Sequence, residues 1–177
     1  MTEKNLLAGF KFFSDVAPEA LEMIARKGEV LELEPEEVIF HFKEPAENFY
    51  GLIKGEVDLS IVFTDKVLQT DIEYEESIQA SLVDEEKWIV VDTVYPGQVF
   101  GWASLVGPGR RTVTAQCSAA SRVIAIPAVE VQTMMEEDHS LGYVIMTKLS
   151  NIISERLKNR TDKLIETWVE AFDVNKI

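Results

Sequence analysis

The chain has 177 residues and a formal net charge of -14, from 31 acidic and 17 basic side chains. A surface that binds duplex nucleic acid has to be basic to displace counterions, so this balance argues against nucleic acid as a partner. The single cysteine, Cys117, excludes a disulfide within the chain, and no apolar run approaches the roughly 20 residues of a membrane span. Because the N-terminal residues do not have the pattern of a signal peptide, we expect a cytoplasmic protein without a membrane partner.

The N-terminal part of the chain is predicted to be a helix followed by strands. Residues 14–28, SDVAPEALEMIARKG, have helical spacing, with Pro18 suited to the first turn and Gly28 to the end. The period then changes to two, which predicts short β-strands. These strands are expected at 29–35, 37–42, 48–53 and 56–63.

The middle of the chain is interrupted by an acidic stretch. Residues 64–87 contain eight acids and two bases, a net charge of -6, and predict either a long acidic hairpin or an insertion with a short helix. Strand patterns resume at 88–94, 111–117 and 122–127, of which the last two are expected to pair as a hairpin. The number and spacing of these strands favour a sandwich or barrel of about eight strands.

Beyond Ala128 the apolar period becomes helical, which predicts a short helix and then a long one from Leu141. The long helix extends about 45 Å at 1.5 Å per residue, farther than a small β-domain is wide. Its surplus apolar stripe predicts a parallel homodimer, and its basic segment at 148–163, net +3, is predicted to be a solvated face. We divide the chain into a β-domain, 1–140, and a C-terminal lid or dimerisation helix, 141–177. The stripe consists of Leu141, Ile145, Leu149, Ile152, Leu157, Leu164 and Trp168.

The glycine-rich stretch at 97–117, GQVFGWASLVGPGRRTVTAQC, is the candidate binding site. Residues 102–106 fit a single helical turn, whose first amides suit an anion, and Gly101 allows the backbone to approach a ligand. Arg111 follows and can reach back across the loop to grip a phosphate. The loop has neither the Gly-Lys-Ser/Thr ending of a Walker loop nor a dinucleotide fingerprint. The predicted phosphate-binding residues are Gly101, Trp102, Ala103, Ser104, Arg111 and Thr112.

The chain from Phe10 to Arg160 resembles the cyclic nucleotide-binding domains of catabolite activator proteins, protein kinase A regulatory subunits and cyclic nucleotide-gated channels. Residues 45–61, PAENFYGLIKGEVDLSI, resemble the family's third and fourth strands. Residues 97–115 resemble its phosphate-binding cassette, with Gly101, Leu105 and Arg111 on the motif's glycine, leucine and arginine. The resemblance implies a mainly β fold, an antiparallel β-roll or jelly roll (double-stranded β-helix) with an N-terminal helix and a long C-terminal helix. It also implies a signalling regulator whose ligand is a cyclic nucleotide or a related phosphodiester, with no other cofactor.

Trp102 departs from the family's pattern. It occupies the position of the glutamate that accepts a hydrogen bond from the ribose 2′-hydroxyl, and an indole is only a donor. Losing such a bond costs about 1.5–3 kcal/mol, or roughly ten- to hundredfold in affinity. The phosphate half of the site is therefore expected to be complete and the ribose half weakened. The ring itself is predicted to fill the pocket, to stack on a base, or to form a cation–π pair with Arg110 or Arg111.

Two other functions remain open on the sequence. The first is a pseudo-sensor of the same fold that has lost its ligand and serves as an interaction scaffold. The second is a metal enzyme of the cupin class, which the two isolated histidines, His41 and His139, support poorly. We assign no catalytic or metal-binding residue. Because the sequence ends at Ile177, soon after the long helix, we expect the output to pass through dimerisation or through an unidentified protein partner.

Overall fold

The computed structural model describes the backbone of residues 3–74, 77–106 and 109–173, and the side chains of residues 6–64, 86–106 and 109–170. Eight strands lie within those ranges, as the sequence predicts. They are β1 (Glu29–Leu33), β2 (Val38–Phe40), β3 (Asn48–Lys54), β4 (Val57–Tyr74), β5 (Ser77–Val94), β6 (Val99–Phe100), β7 (Thr114–Cys117) and β8 (Ser121–Pro127).

Helices lie at both ends of the strand region. They are α1 (Glu3–Ala8), a 3-10 turn (Lys11–Phe13), α2 (Pro18–Lys27), the cassette turn (Trp102–Ser104), α3 (Ala128–Glu137) and α4 (His139–Asp173). The predicted α2 is confirmed, with Pro18 in its first turn. Gly28 ends it in an extended conformation, and the position favours glycine because an added Cβ would lie 2.8 Å from the Ile124 side chain. In the part of the chain that the structure describes, no helix is long and apolar enough to cross a lipid bilayer.

The strands form two four-stranded antiparallel sheets, ordered β1-β8-β3-β6 and β2-β7-β4-β5. The predicted mainly β fold with flanking helices is therefore confirmed. The predicted hairpin of 111–117 with 122–127 is wrong, because β7 pairs with β2 and β4 whereas β8 pairs with β1 and β3. Each of the two strands is central in its own sheet, so the short connection between them crosses from one sheet to the other.

The acidic stretch belongs to a long two-stranded ribbon made by β4 and β5. Their backbones pair from Val57↔Val94 to Tyr74↔Ser77, so each strand has 18 residues and spans about 60 Å at roughly 3.3 Å per residue. This confirms the hairpin and excludes the alternative of a helical insertion over the described backbone. The acidic side chains within 65–85 lie outside the described residues. Gly107 and Pro108, in the cassette, also lie outside them.

Helix α4 is divided between the core and the surface. Leu141, Ile145 and Leu149 are at most 6% exposed and belong to the cluster that packs α2, α3 and the first sheet together. Leu157 and Leu164 are 65% and 58% exposed. The first half of α4 is thus anchored on the β-roll, and the second half has an apolar face that is exposed. The division at residue 140 into two domains stays a prediction.

Candidate functional site

The cassette begins with a tight backbone turn after β6. Gly101 has φ +74°, in the left-handed region, and caps the 3-10 turn Trp102–Ser104. A Cβ at this position would lie 2.9 Å from both Arg111 Nη1 and Tyr50 Cδ2. The position therefore requires glycine for its conformation and for its space. The single helical turn predicted from the sequence is confirmed in its shorter, 3-10 form.

Arg111 reaches back across the loop, but its first partners are backbone carbonyls. Its Nη1 donates to Gly101 O and its Nη2 to Asn48 O, both at 2.9 Å. The guanidinium carbon lies 4.1 Å from the centre of the Phe40 ring and 5.4 Å from that of Tyr50. Burial lowers the pKa of this guanidinium, which is only 3% exposed as a residue. Its Nε is buried and has no hydrogen-bond partner among the described residues.

Trp102 is covered by an arginine of α4. The guanidinium carbon of Arg156 lies 4.5 Å from the centre of the indole ring. The same guanidinium donates from Nη2 to Val99 O at 3.1 Å, and its Nε lies 3.3 Å from Asp92 Oδ2. One side chain therefore links α4 to the cassette, to β6 and to the base of the long hairpin.

This arrangement differs from the cation–π pair predicted between Trp102 and its sequence neighbours. Arg110 is exposed and donates to Lys43 O at 2.9 Å, while Arg111 stacks on Phe40. The prediction considered only arginines close to Trp102 in sequence, whereas the observed partner, Arg156, is supplied by a helix that crosses the loop.

The cassette forms a half-open cavity of about 50 Å³. That is space for roughly four water molecules or for one tetrahedral oxyanion, and it is too small for a nucleoside. A larger cavity, of about 380 Å³, lies between α4 and the β5–β6 turn, and it also borders Arg156. The small cavity is lined by Phe40, Leu59, Gly101, Trp102, Ala103, Arg111, Thr112, Val113, Arg156 and Arg160.

Five of the six predicted site residues line this cavity; the exception, Ser104, is buried and its hydroxyl donates to Gly101 O at 3.0 Å. Arg156 and Arg160 were missed as site residues. The basic segment 148–163 was their only signal, and it gives no indication of which face of the helix meets the loop. His41 and His139 are exposed and lie outside the lining of this cavity.

No protein-family model and no curated protein sequence matches the chain. The chain is, however, similar to several solved structures. A candidate cyclic nucleotide-binding protein from Geobacter metallireducens GS-15 is 25% identical, with a TM-score of 0.67, over 89% of this chain and 99% of that one. The sensor domain of the transcriptional regulator DNR from Pseudomonas aeruginosa is 18% identical, with a TM-score of 0.59, over 88% and 91%.

The catabolite activator protein of Thermus thermophilus is similar as well. It is 17% identical, with a TM-score of 0.58, and the match covers 88% of this chain and 62% of that one. These neighbours are nucleotide-binding and regulatory proteins. The fold is therefore that of a cyclic nucleotide-binding domain, and the resemblance seen in the sequence is confirmed.

Proposed function

We propose that the chain is a ligand-sensing regulatory module rather than an enzyme, with the cassette as its ligand site and α4 as the element that responds. The observation that carries this proposal is the contact of Arg156 with Trp102, 4.5 Å from the ring centre. A ligand that enters the cassette meets both side chains, because they line the same cavity, and is expected to alter this contact. The position of α4 then depends on whether the cassette is occupied.

The ligand is expected to carry a phosphate, bound by Arg111 and the neighbouring amides. Each Nη group of Arg111 uses one of its two hydrogens to hold the loop, and its wholly unpartnered Nε is among the donors that remain for the anion. The amide of Ser104 already donates to Gly101 O at 3.3 Å, which leaves those of Trp102 and Ala103. Thr112 adds an exposed hydroxyl at the rim of the cavity.

Cyclic nucleotides are expected to bind weakly. Trp102 supplies no acceptor for a ribose hydroxyl, and a cavity of about 50 Å³ is too small to bury a nucleoside. The same closed packing supports the rival function, a ligand-free scaffold in which Trp102 and Arg156 replace the ligand permanently.

Calorimetric titration with cyclic AMP, cyclic GMP and inorganic phosphate distinguishes the two functions. The sensor predicts that at least one of them binds, and that Arg111→Lys weakens binding by roughly tenfold or more, because lysine lacks the planar fork. Since Arg111 is buried, circular dichroism has to show that the variant is folded; Thr112→Val, at an exposed position, provides a second variant of the same site. Absence of binding by all three compounds would support the scaffold.

We further propose a parallel homodimer through the outer face of α4. Met146, Ile153, Leu157 and Leu164 are 38–65% exposed and follow one another at steps of seven, four and seven residues. This spacing is that of a coiled-coil seam, and it is distinct from the buried face that packs on the β-roll. The dimer would place the responding helices of two copies against each other.

A further inference from the structure

The residues that line the cavity of the cassette include three arginines and no acidic residue. Arg111 comes from the loop, and Arg156 and Arg160 come from successive turns of α4. Such a concentration of positive charge is notable in a chain whose net charge is -14. Clefts lined by one sign of charge attract ligands of the opposite sign.

The charges of the two α4 arginines are unequally balanced. Arg156 lies beside Asp92, with Nε 3.3 Å from Oδ2, whereas Arg160 has no ion-pair or hydrogen-bond partner among the described residues. Burial lowers the pKa of Arg156; Asp92 and, more weakly, Glu155 oppose this, and the like charge of Arg160 adds to it. Two guanidinium groups close enough to repel each other are stabilised by an anion placed between them.

Arg111, on the other wall of the cavity, has no acidic ion-pair partner among the described residues. Burial is the main influence on its pKa and lowers it, while Tyr50 and the acids Glu44 and Glu47 act in the opposite direction. None of these three residues lines the cavity. The acid that the resembled cassettes carry is replaced here by Trp102, so this site lacks that negative charge.

We infer that the cassette binds a compact dianion, of the class of inorganic phosphate or a terminal phosphate monoester, held between Arg111 and the two arginines of α4. The inference rests on the proposed function, which assigns the ligand site to the cassette. A cyclic phosphodiester carries one negative charge, which one arginine matches. Three guanidinium groups around about 50 Å³ match a small ligand with two charges and no buried nucleoside.

Calorimetry on the full chain at low ionic strength tests this inference. The probes are inorganic phosphate, glycerol 3-phosphate and cyclic AMP, and the two phosphates are expected to bind more tightly than the cyclic monoanion. The comparison of phosphate with glycerol 3-phosphate shows whether the ligand is the free ion or a monoester. Arg160→Gln is expected to weaken phosphate binding about tenfold, because it removes one charge-assisted contact. Lys158→Gln removes the same charge from an exposed site outside the cavity and should leave binding unchanged.

A pH series distinguishes an affinity that depends on the charge of the ligand from one that depends on the charge of the protein. Between about pH 7.5 and about pH 5.5 a phosphate monoester loses most of its second charge, since that pKa is near 6. Phosphate affinity should fall over this range, while that of sulfate, which keeps both charges, should fall much less. The inference would be overturned if cyclic AMP bound more tightly than both phosphates and if the affinity for phosphate were equal in Arg160→Gln and Lys158→Gln. That result would leave the proposed sensor function intact. If no probe binds at roughly millimolar concentration, both proposals are overturned.

Discussion

Replacing Trp102 with glutamate is expected to strengthen the binding of cyclic AMP. The substitution supplies the carboxylate acceptor that a ribose hydroxyl requires, and a hydrogen bond to a charged group is worth about 1.5–3 kcal/mol. It also removes the indole that lies 4.5 Å from Arg156. The carboxylate, at a position that is only partly buried, can then pair with Arg156, and that competing pair is worth up to about 1 kcal/mol.

The difference between these two effects sets the size of the change. Subtracting about 1 from 1.5–3 kcal/mol leaves roughly 0.5–2 kcal/mol, or about a two- to thirtyfold gain in affinity. Adding Arg156→Gln removes the competitor, so the double variant should approach the full ten- to hundredfold gain. The coupling between the two positions is the quantity that a double-mutant cycle measures.

Isothermal titration of the wild type, the two single variants and the double variant gives the cycle directly. Trp88→Glu is the matched control, because Trp88 is 51% exposed at the base of the long hairpin, away from the cassette cavity, and the chemical change is identical. It should not alter affinity. If the wild type binds cyclic AMP tightly and Trp102→Glu weakens it, Trp102 is a ligand contact and the explanation given for the ribose side is wrong.

Three further predictions concern stability and assembly. Leu149→Ala should lower the free energy of unfolding by about 2–5 kcal/mol in denaturant titrations, because Leu149 is 1% exposed; a loss below about 1 kcal/mol would show that α4 is not anchored there. Gly101→Ala should lower the free energy of unfolding by about 1–2 kcal/mol and weaken anion binding. The left-handed φ of this residue and the 2.9 Å approach of a Cβ to Arg111 both oppose a side chain. An unchanged melting temperature would contradict this prediction. Light scattering of the wild type should give about twice the chain mass of 20.0 kDa, and Leu157→Glu should give the chain mass itself. A wild-type mass near 20.0 kDa at high concentration would refute the dimer.

The features predicted well from the sequence depend on short segments. The helix with Pro18 in its first turn, the alternating strands and the turn after Gly101 are each specified by residues within about ten positions of one another. Strand pairing was less predictable. The patterns of β7 and β8 fit a hairpin and a crossover equally well, and their true partners, such as β2 and β1, lie 75 or more residues earlier.

The missed half of the site has a similar cause. Arg156 reaches Trp102 across 54 residues of sequence, and this contact depends on the angle at which α4 crosses the β-roll. That angle is fixed by the burial of Leu141, Ile145 and Leu149 against other elements, which the sequence does not specify by itself. The interruption of the helix's apolar stripe at Arg156 and Arg160 has a structural reason, because both line the cassette cavity.

The most direct test of the account is a crystal structure of the protein with selenate, a tetrahedral dianion that can be located by its anomalous scattering. The account predicts an anomalous peak in the cassette, within hydrogen-bond distance of Arg111 Nε and of the Arg160 guanidinium. It also predicts that the peak is lost in the Arg160→Gln variant and kept in Lys158→Gln. A cassette without selenate, in crystals where Arg156 still covers Trp102, would contradict the claim that this loop and α4 together form an anion site.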